Sequence, residues 1–131
     1  MANRARDWFL QAEHDLEHAL AAADAGRFDW ACFAAHQAAE KAVKALHLAH
    51  EQEAWGHVVA KLLVELPEPV KPHADLIDAA RVLDTFYIPT RYPDSHAEGP
   101  PFAHYGRFQG EEALRHARDL IGFVREALAE R

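Results

Sequence analysis

Arg91 and His96 are separated by four residues in the stretch Arg91-Tyr92-Pro93-Asp94-Ser95-His96. An arginine stays protonated across the working pH range and presents phosphate with a planar fork of donors. Histidine titrates near neutrality and can give or take a proton. Together the two suit a phosphate-bearing ligand, the arginine holding the anion and the histidine exchanging a proton. A plain structural arrangement uses the same residues: Arg91 pairs with Asp94 or caps a helix C-terminus, and His96 is a solvated loop residue.

A second group shares one arc of a predicted helix. Gln37, Lys41 and Lys44 lie among the larger residues Trp30, Phe33 and Leu48, with small residues on the other side. They could receive phosphate oxygens or base edges beside Arg91, in a groove floored by Trp30 and Phe33. Alternatively, Glu40 and Lys44 are an i,i+4 pair and the lysine stems cover apolar surface, or the arc is a dimer interface. His14 and His18 have the spacing of a helical metal pair, but no third ligand is evident, so they read as a solvated face. His36 and His47 read as hydrogen-bonded surface or interface groups, and His57 as the start of a short helix. His104 and Tyr105 could line the cleft of His96, and Arg107 could add positive charge there. No metal or cofactor is expected, and neither a Gly-rich phosphate loop nor a serine or cysteine nucleophile with a base is present.

The elements that must position these residues are helical. Residues 4–25 carry Ala5, Trp8, Phe9, Ala12, Leu16, Ala19 and Leu20 at spacings of three and four, an amphipathic helix that Gly26 stops. The second helix spans about 28–50. A short one follows at about 57–66, broken by Pro67, Pro69 and Pro72, and a further helix covers about 73–86. Tyr87 to Gln109 holds four prolines and two glycines, yet also Tyr87, Tyr92, Phe102, Tyr105 and Phe108. A loop so long inside a small domain is functional or disordered, and its aromatic content argues for order. The last helix is expected over about 110–130. The sum is an all-α, up-and-down four-helix bundle with one short extra helix and a long aromatic, proline-rich loop.

Composition narrows the function classes. A chain of 131 residues is expected to form one domain, residues 1–131. A lone cysteine, Cys32, excludes an intrachain disulfide and suits a reducing, cytoplasmic setting. The first residues lack the apolar core of a signal peptide, and no apolar run approaches the roughly 18 residues of a membrane span. The formal net charge of -7 argues against an extended basic face for nucleic acid. Between Tyr87 and Gln109, however, Arg91 and Arg107 balance Asp94 and Glu98. An anionic ligand is therefore restricted to that loop and the cleft beside it.

Three segments together resemble the HEPN family of helical nucleotide-binding domains: Trp8-Phe9-Leu10-Gln11-Ala12-Glu13-His14-Asp15-Leu16; Gln37-Ala38-Ala39-Glu40-Lys41-Ala42-Val43-Lys44-Ala45-Leu46 followed by His57-Val58-Val59-Ala60-Lys61-Leu62-Leu63; and Tyr87-Ile88-Pro89-Thr90-Arg91-Tyr92-Pro93-Asp94. The resemblance implies a bundle of four or five helices, a homodimer, and a small nucleotidyltransferase partner with which it can form a toxin–antitoxin pair. Some members are metal-independent ribonucleases that use an arginine and a histidine at the dimer cleft, spaced as Arg91 and His96 are. Others bind nucleotides without cutting. By that resemblance Arg91 and His96 are the catalytic pair. Lys41, Lys44, Gln37, Tyr92, Asp94 and Arg107 are the candidate contacts to a nucleotide or RNA. The competing expectation is a non-catalytic dimeric nucleotide-binding or adaptor subunit.

Overall fold

Alanine has the strongest helix propensity, and its small side chain lets neighbouring helices approach closely. The computed structural model, which describes residues 3–130, builds its centre from this. Helices α1 (Ala5–Asp24), α2 (Phe28–Ala49), α3 (Val59–Val64), α4 (Ala74–Asp84) and α5 (Arg107–Ala129) follow one another, with short 3₁₀ turns between α3 and α4 and between α4 and α5. The described residues contain no strand. Ala35, Ala38, Ala39, Ala42 and Ala45 of α2 are fully buried. α1 lies along one side of α2 and α5 along another, while α3 and α4 close the remainder. Leu46, Leu62, Leu83, Leu120 and Ile121 fill the space between them. The expected all-α bundle of four longer helices and one short one is the architecture found. No helix among the described residues is long and apolar enough to cross a membrane.

The α1–α2 turn follows from Gly26, whose φ of 75° lies in the left-handed region. The Gly26 N–H donates to the Ala23 carbonyl at 3.0 Å and the Arg27 N–H to the Ala22 carbonyl at 2.8 Å. This is a Schellman closure, and it reverses the chain so that α2 starts immediately.

At α5 the structure corrects the expected start near residue 110. The side-chain oxygen of Gln109 accepts the Gly106 N–H at 2.9 Å, which sets the first turn three residues earlier. Gly110 is buried where α5 crosses the start of α2. A Cβ there would stand 2.8 Å from Phe28 Cδ1, whereas one at Gly122 would meet nothing within 4 Å. Gly110→Ala is therefore expected to cost about 1–3 kcal/mol through overpacking. Gly122→Ala should instead gain roughly 0.5–1 kcal/mol from helix propensity. Thermal denaturation of the two variants should move in opposite directions.

Cys32 is buried in the core, as its neighbours in the sequence suggest. Burial first, then the nearby carboxylates Asp29 and Glu112, push its thiol up from 9.0 to about 12. Only the thiolate is an effective nucleophile, so native protein should resist thiol reagents that label it after unfolding. The sign of the pH effect follows. Above pH 9 the unfolded chain loses a proton that the folded chain keeps, so stability falls as pH rises from about 9 towards 12. The slope from this group is about 1.4 kcal/mol per pH unit. Cys32→Ala should flatten that part of the stability profile.

Candidate functional site

Arg91 arrives on a short ordered loop. Thr90 beside it is fully buried, and its hydroxyl donates to the Phe86 carbonyl at 2.7 Å. The Arg91 guanidinium lies over the Trp30 ring at 3.7 Å from its centroid and 5.7 Å from that of Phe33. One terminal nitrogen donates to the Asp29 carboxylate, and both side chains of this ion pair are largely buried. The partner is thus Asp29 on α2, not the sequence-adjacent Asp94, because the loop folds back onto the first turn of α2. The Arg91 Nε is buried with no hydrogen-bond partner. Asp29 and the Trp30 face thus fix the guanidinium plane, and a planar fork of donors held in this way matches the geometry of a phosphate or carboxylate. Beside it, a recess of about 450 Å³ is lined by Arg27, Asp29, Trp30, Phe102 and Tyr105 among others. Tyr92, Asp94 and Arg107 are exposed on the loop and at the start of α5.

His96 is half-buried on the same loop. Its Nε2–H donates to the Pro89 carbonyl at 2.7 Å, and its ring stacks on His104 at 4.1 Å between centroids with planes 7° apart. His104 Nε2–H donates to the Glu98 carbonyl at 2.7 Å, and Tyr105 meets His96 edge-on at 5.9 Å. His104 and Tyr105 therefore do sit with His96. The carbonyl contact fixes the tautomer and leaves Nδ1 as the ring nitrogen able to exchange a proton. Among the described residues no hydrogen bond or ion pair joins Arg91 to His96.

The structure separates Lys41 and Lys44 from Arg91 and commits both to carboxylates. Lys41 pairs with Asp15 of α1 at 2.5 Å, and Lys44 pairs with Glu40 at 3.1 Å while lying 5.8 Å from the Trp8 ring centroid. Helical rise sets Lys41 roughly 16 Å along α2 from Trp30. Gln37 donates to His36 Nδ1 at 3.3 Å.

His36 and His47, expected as hydrogen-bonded surface or interface groups, are hydrogen-bonded but buried, because both tie other segments to α2. His36 Nε2–H is shared between the His57 carbonyl at 3.0 Å and Asp84 at 3.1 Å. His47 Nε2–H donates to the Leu62 carbonyl at 2.8 Å, and its Nδ1 lies 3.0 Å from the Gln52 carboxamide. The buried Glu40 also receives the His57 Nδ1–H at 3.0 Å. Tyr87 stacks on His36 and on Phe33. His57 precedes α3 rather than starting it. The two carboxylate oxygens of Asp84 accept the Val59 and Ala60 N–H groups at 2.8 and 3.0 Å, and that cap sets where the helix begins.

Comparison with known proteins decides the family. The family model described as "HEPN domain" matches residues 5–127, nearly the whole chain. The chain belongs to the HEPN domain family. A crystal structure of a Thermus thermophilus protein is 55% identical, with a TM-score of 0.93 over 95% of this chain and 98% of that one. An archaeal HEPN homologue is 37% identical, with a TM-score of 0.83 over 97% and 99%. A HEPN domain protein from Thermotoga maritima is 34% identical, with a TM-score of 0.77 over 95% and 99%. No curated protein matches the chain significantly.

Within this HEPN domain, sequence reasoning missed Asp29, Asp84 and the Glu40–His57 pair. Asp84 carried a readable signal: an acidic residue in the last turn of a helix opposes the helix dipole, so it must be satisfied elsewhere in the fold.

Proposed function

We propose that this HEPN domain is a cytoplasmic homodimer that receives a nucleotide or RNA at the Arg91 face and cuts RNA without a metal. We further propose that it works beside a small nucleotidyltransferase as a toxin–antitoxin-type pair. The observation that carries the reading is Arg91 itself, its guanidinium stacked on Trp30 and held by Asp29 beside the recess that those two residues help to line. In cleavage, His96 Nδ1 takes the 2′-OH proton, the 2′-oxygen bonds to phosphorus, and the bond to the 5′-oxygen breaks. Arg91 stabilises the charge on the phosphorane. The second His96 of a dimer, protonated, returns a proton to the leaving 5′-oxygen, so two subunits complete one site. Membership of the family and the spacing of the pair support this assignment.

One observation favours a second reading. Asp29 already occupies one edge of Arg91, which suits a non-catalytic nucleotide-binding or adaptor subunit of a nucleotidyltransferase. Binding is common to both readings and is tested first. AMP, ATP or GTP at ten times Kd should stabilise the protein by about 1.4 kcal/mol and raise Tm by several degrees. Arg91→Lys, which keeps a cation for Asp29 but loses the fork, should reduce that shift. No shift with any of the three at millimolar concentration overturns the binding reading. Sedimentation of the same samples should show twice the 14.7 kDa chain mass, and monomer alone contradicts the dimer.

A further inference from the structure

Far along α2 from Arg91 the fold exposes a tryptophan on a tethered segment. Trp55 is 80% exposed on the segment between α2 and α3. That segment is tied down on both sides of it. Gln52 N–H donates to the His47 carbonyl at 2.9 Å, and its carboxamide meets His47 Nδ1. His57 is bound through its carbonyl to His36 and through its ring to Glu40. Two buried histidines and a buried glutamate thus anchor a loop whose largest side chain faces solvent.

Trp55 rims a recess of about 270 Å³ whose other walls are Trp8, Lys44, Leu48, Glu53 and Ala54. Two indoles offer a flat π-ring a stacking surface. Lys44 Nζ is bound to Glu40 at 3.1 Å and keeps further N–H donors for an anion. Glu53 has no hydrogen bond or ion pair among the described residues and can accept from an amino group on a ring edge. A flat ring with an edge donor and an anionic tail is the chemistry of a nucleotide.

We propose that the Trp8–Trp55–Lys44 recess is a nucleobase-binding site of this chain, distinct from the Arg91 face. It rests on the nucleotide-handling reading for its ligand class, but on different residues. Each base–aromatic stack is worth a factor of roughly 5 to 150 in affinity. The test follows the three indole N–H signals of the ¹⁵N-labelled full chain during titration with AMP. Those of Trp8 and Trp55 report on this recess, and that of Trp30 reports on the Arg91 face, so the two readings fail separately. AMP is expected to move the Trp8 and Trp55 signals with one common Kd. Ribose 5-phosphate, which lacks the ring and so both stacks, should bind at least roughly ten-fold more weakly, and AMP should bind Trp55→Ala at least roughly five-fold more weakly. Movement confined to Trp30, or no movement at millimolar AMP, overturns the proposal. So does a shift of Trp8 and Trp55 with protein concentration alone, which shows a second copy covering the recess.

Discussion

Asp84→Ala is expected to destabilise the fold by about 2–4 kcal/mol, the largest loss from any single polar truncation outside the core. One carboxylate holds three groups: the Val59 and Ala60 N–H donors of α3 and the buried His36 ring. Losing a helix cap costs about 0.5–2 kcal/mol. Weakening the satisfaction of a buried donor adds about 1–3 kcal/mol. α3 has only six residues and cannot stand without its cap and packing. Asp84→Asn keeps one acceptor oxygen and should lose only part of this. Urea denaturation of both variants checks the order, and a cost below about 0.5 kcal/mol for Asp84→Ala would remove this carboxylate from the account.

The same residue shows how far the sequence could be read. Helix existence was legible because the apolar periodicity of α1, α2 and α5 is strong and their alanines leave few alternatives. The HEPN resemblance was legible because three motifs occur in order along the chain. Less visible were the long-range polar pairs, which join residues far apart in the chain: His36 to Asp84, Arg91 to Asp29, Lys41 to Asp15. Helical periodicity records which face is apolar, not which charge on one element meets which on another. His36 and His47 were misplaced for that reason. A histidine surrounded by alanines looks polar on a helical projection, yet it is buried when a carbonyl from another segment satisfies its ring. Asp84 and Glu40 could have been suspected, the first from its dipole-opposing position and the second from the small residues around it.

At the site, Arg91 and the His96–His104–Tyr105 cluster were legible as one loop. The pairing of Lys44 with Glu40 was legible as an i,i+4 spacing, whereas that of Lys41 with Asp15, which joins two helices, was not. The lysine end of α2 thereby becomes a second locus, bordered by Trp8, which the sequence offered as an apolar position of α1, and by Trp55, which sequence reasoning left unread.

In the proposed reading the chemistry rests on Arg91 and His96, and their removal should have the largest effect on activity. A positioned proton-transfer group contributes typically about 10²–10⁴ in rate, so His96→Ala should lower RNA cleavage at least a hundred-fold. Arg91→Ala should do comparable damage, but it also strands the largely buried Asp29. Arg91→Lys separates those effects, since the ammonium keeps the charge and loses the planar fork. His96→Ala leaves the Pro89 carbonyl without its donor at a half-buried position, a modest structural cost that thermal denaturation would register separately.

The most direct measurement is cleavage of a single-stranded RNA by the purified chain in excess chelator, run beside Arg91→Lys and His96→Ala variants shown to be folded and dimeric. The account predicts metal-free cleavage by the parent, 2′,3′-cyclic phosphate ends, and a loss of at least a hundred-fold in each variant. Equal cutting by the variants, or no cutting by the parent, contradicts it.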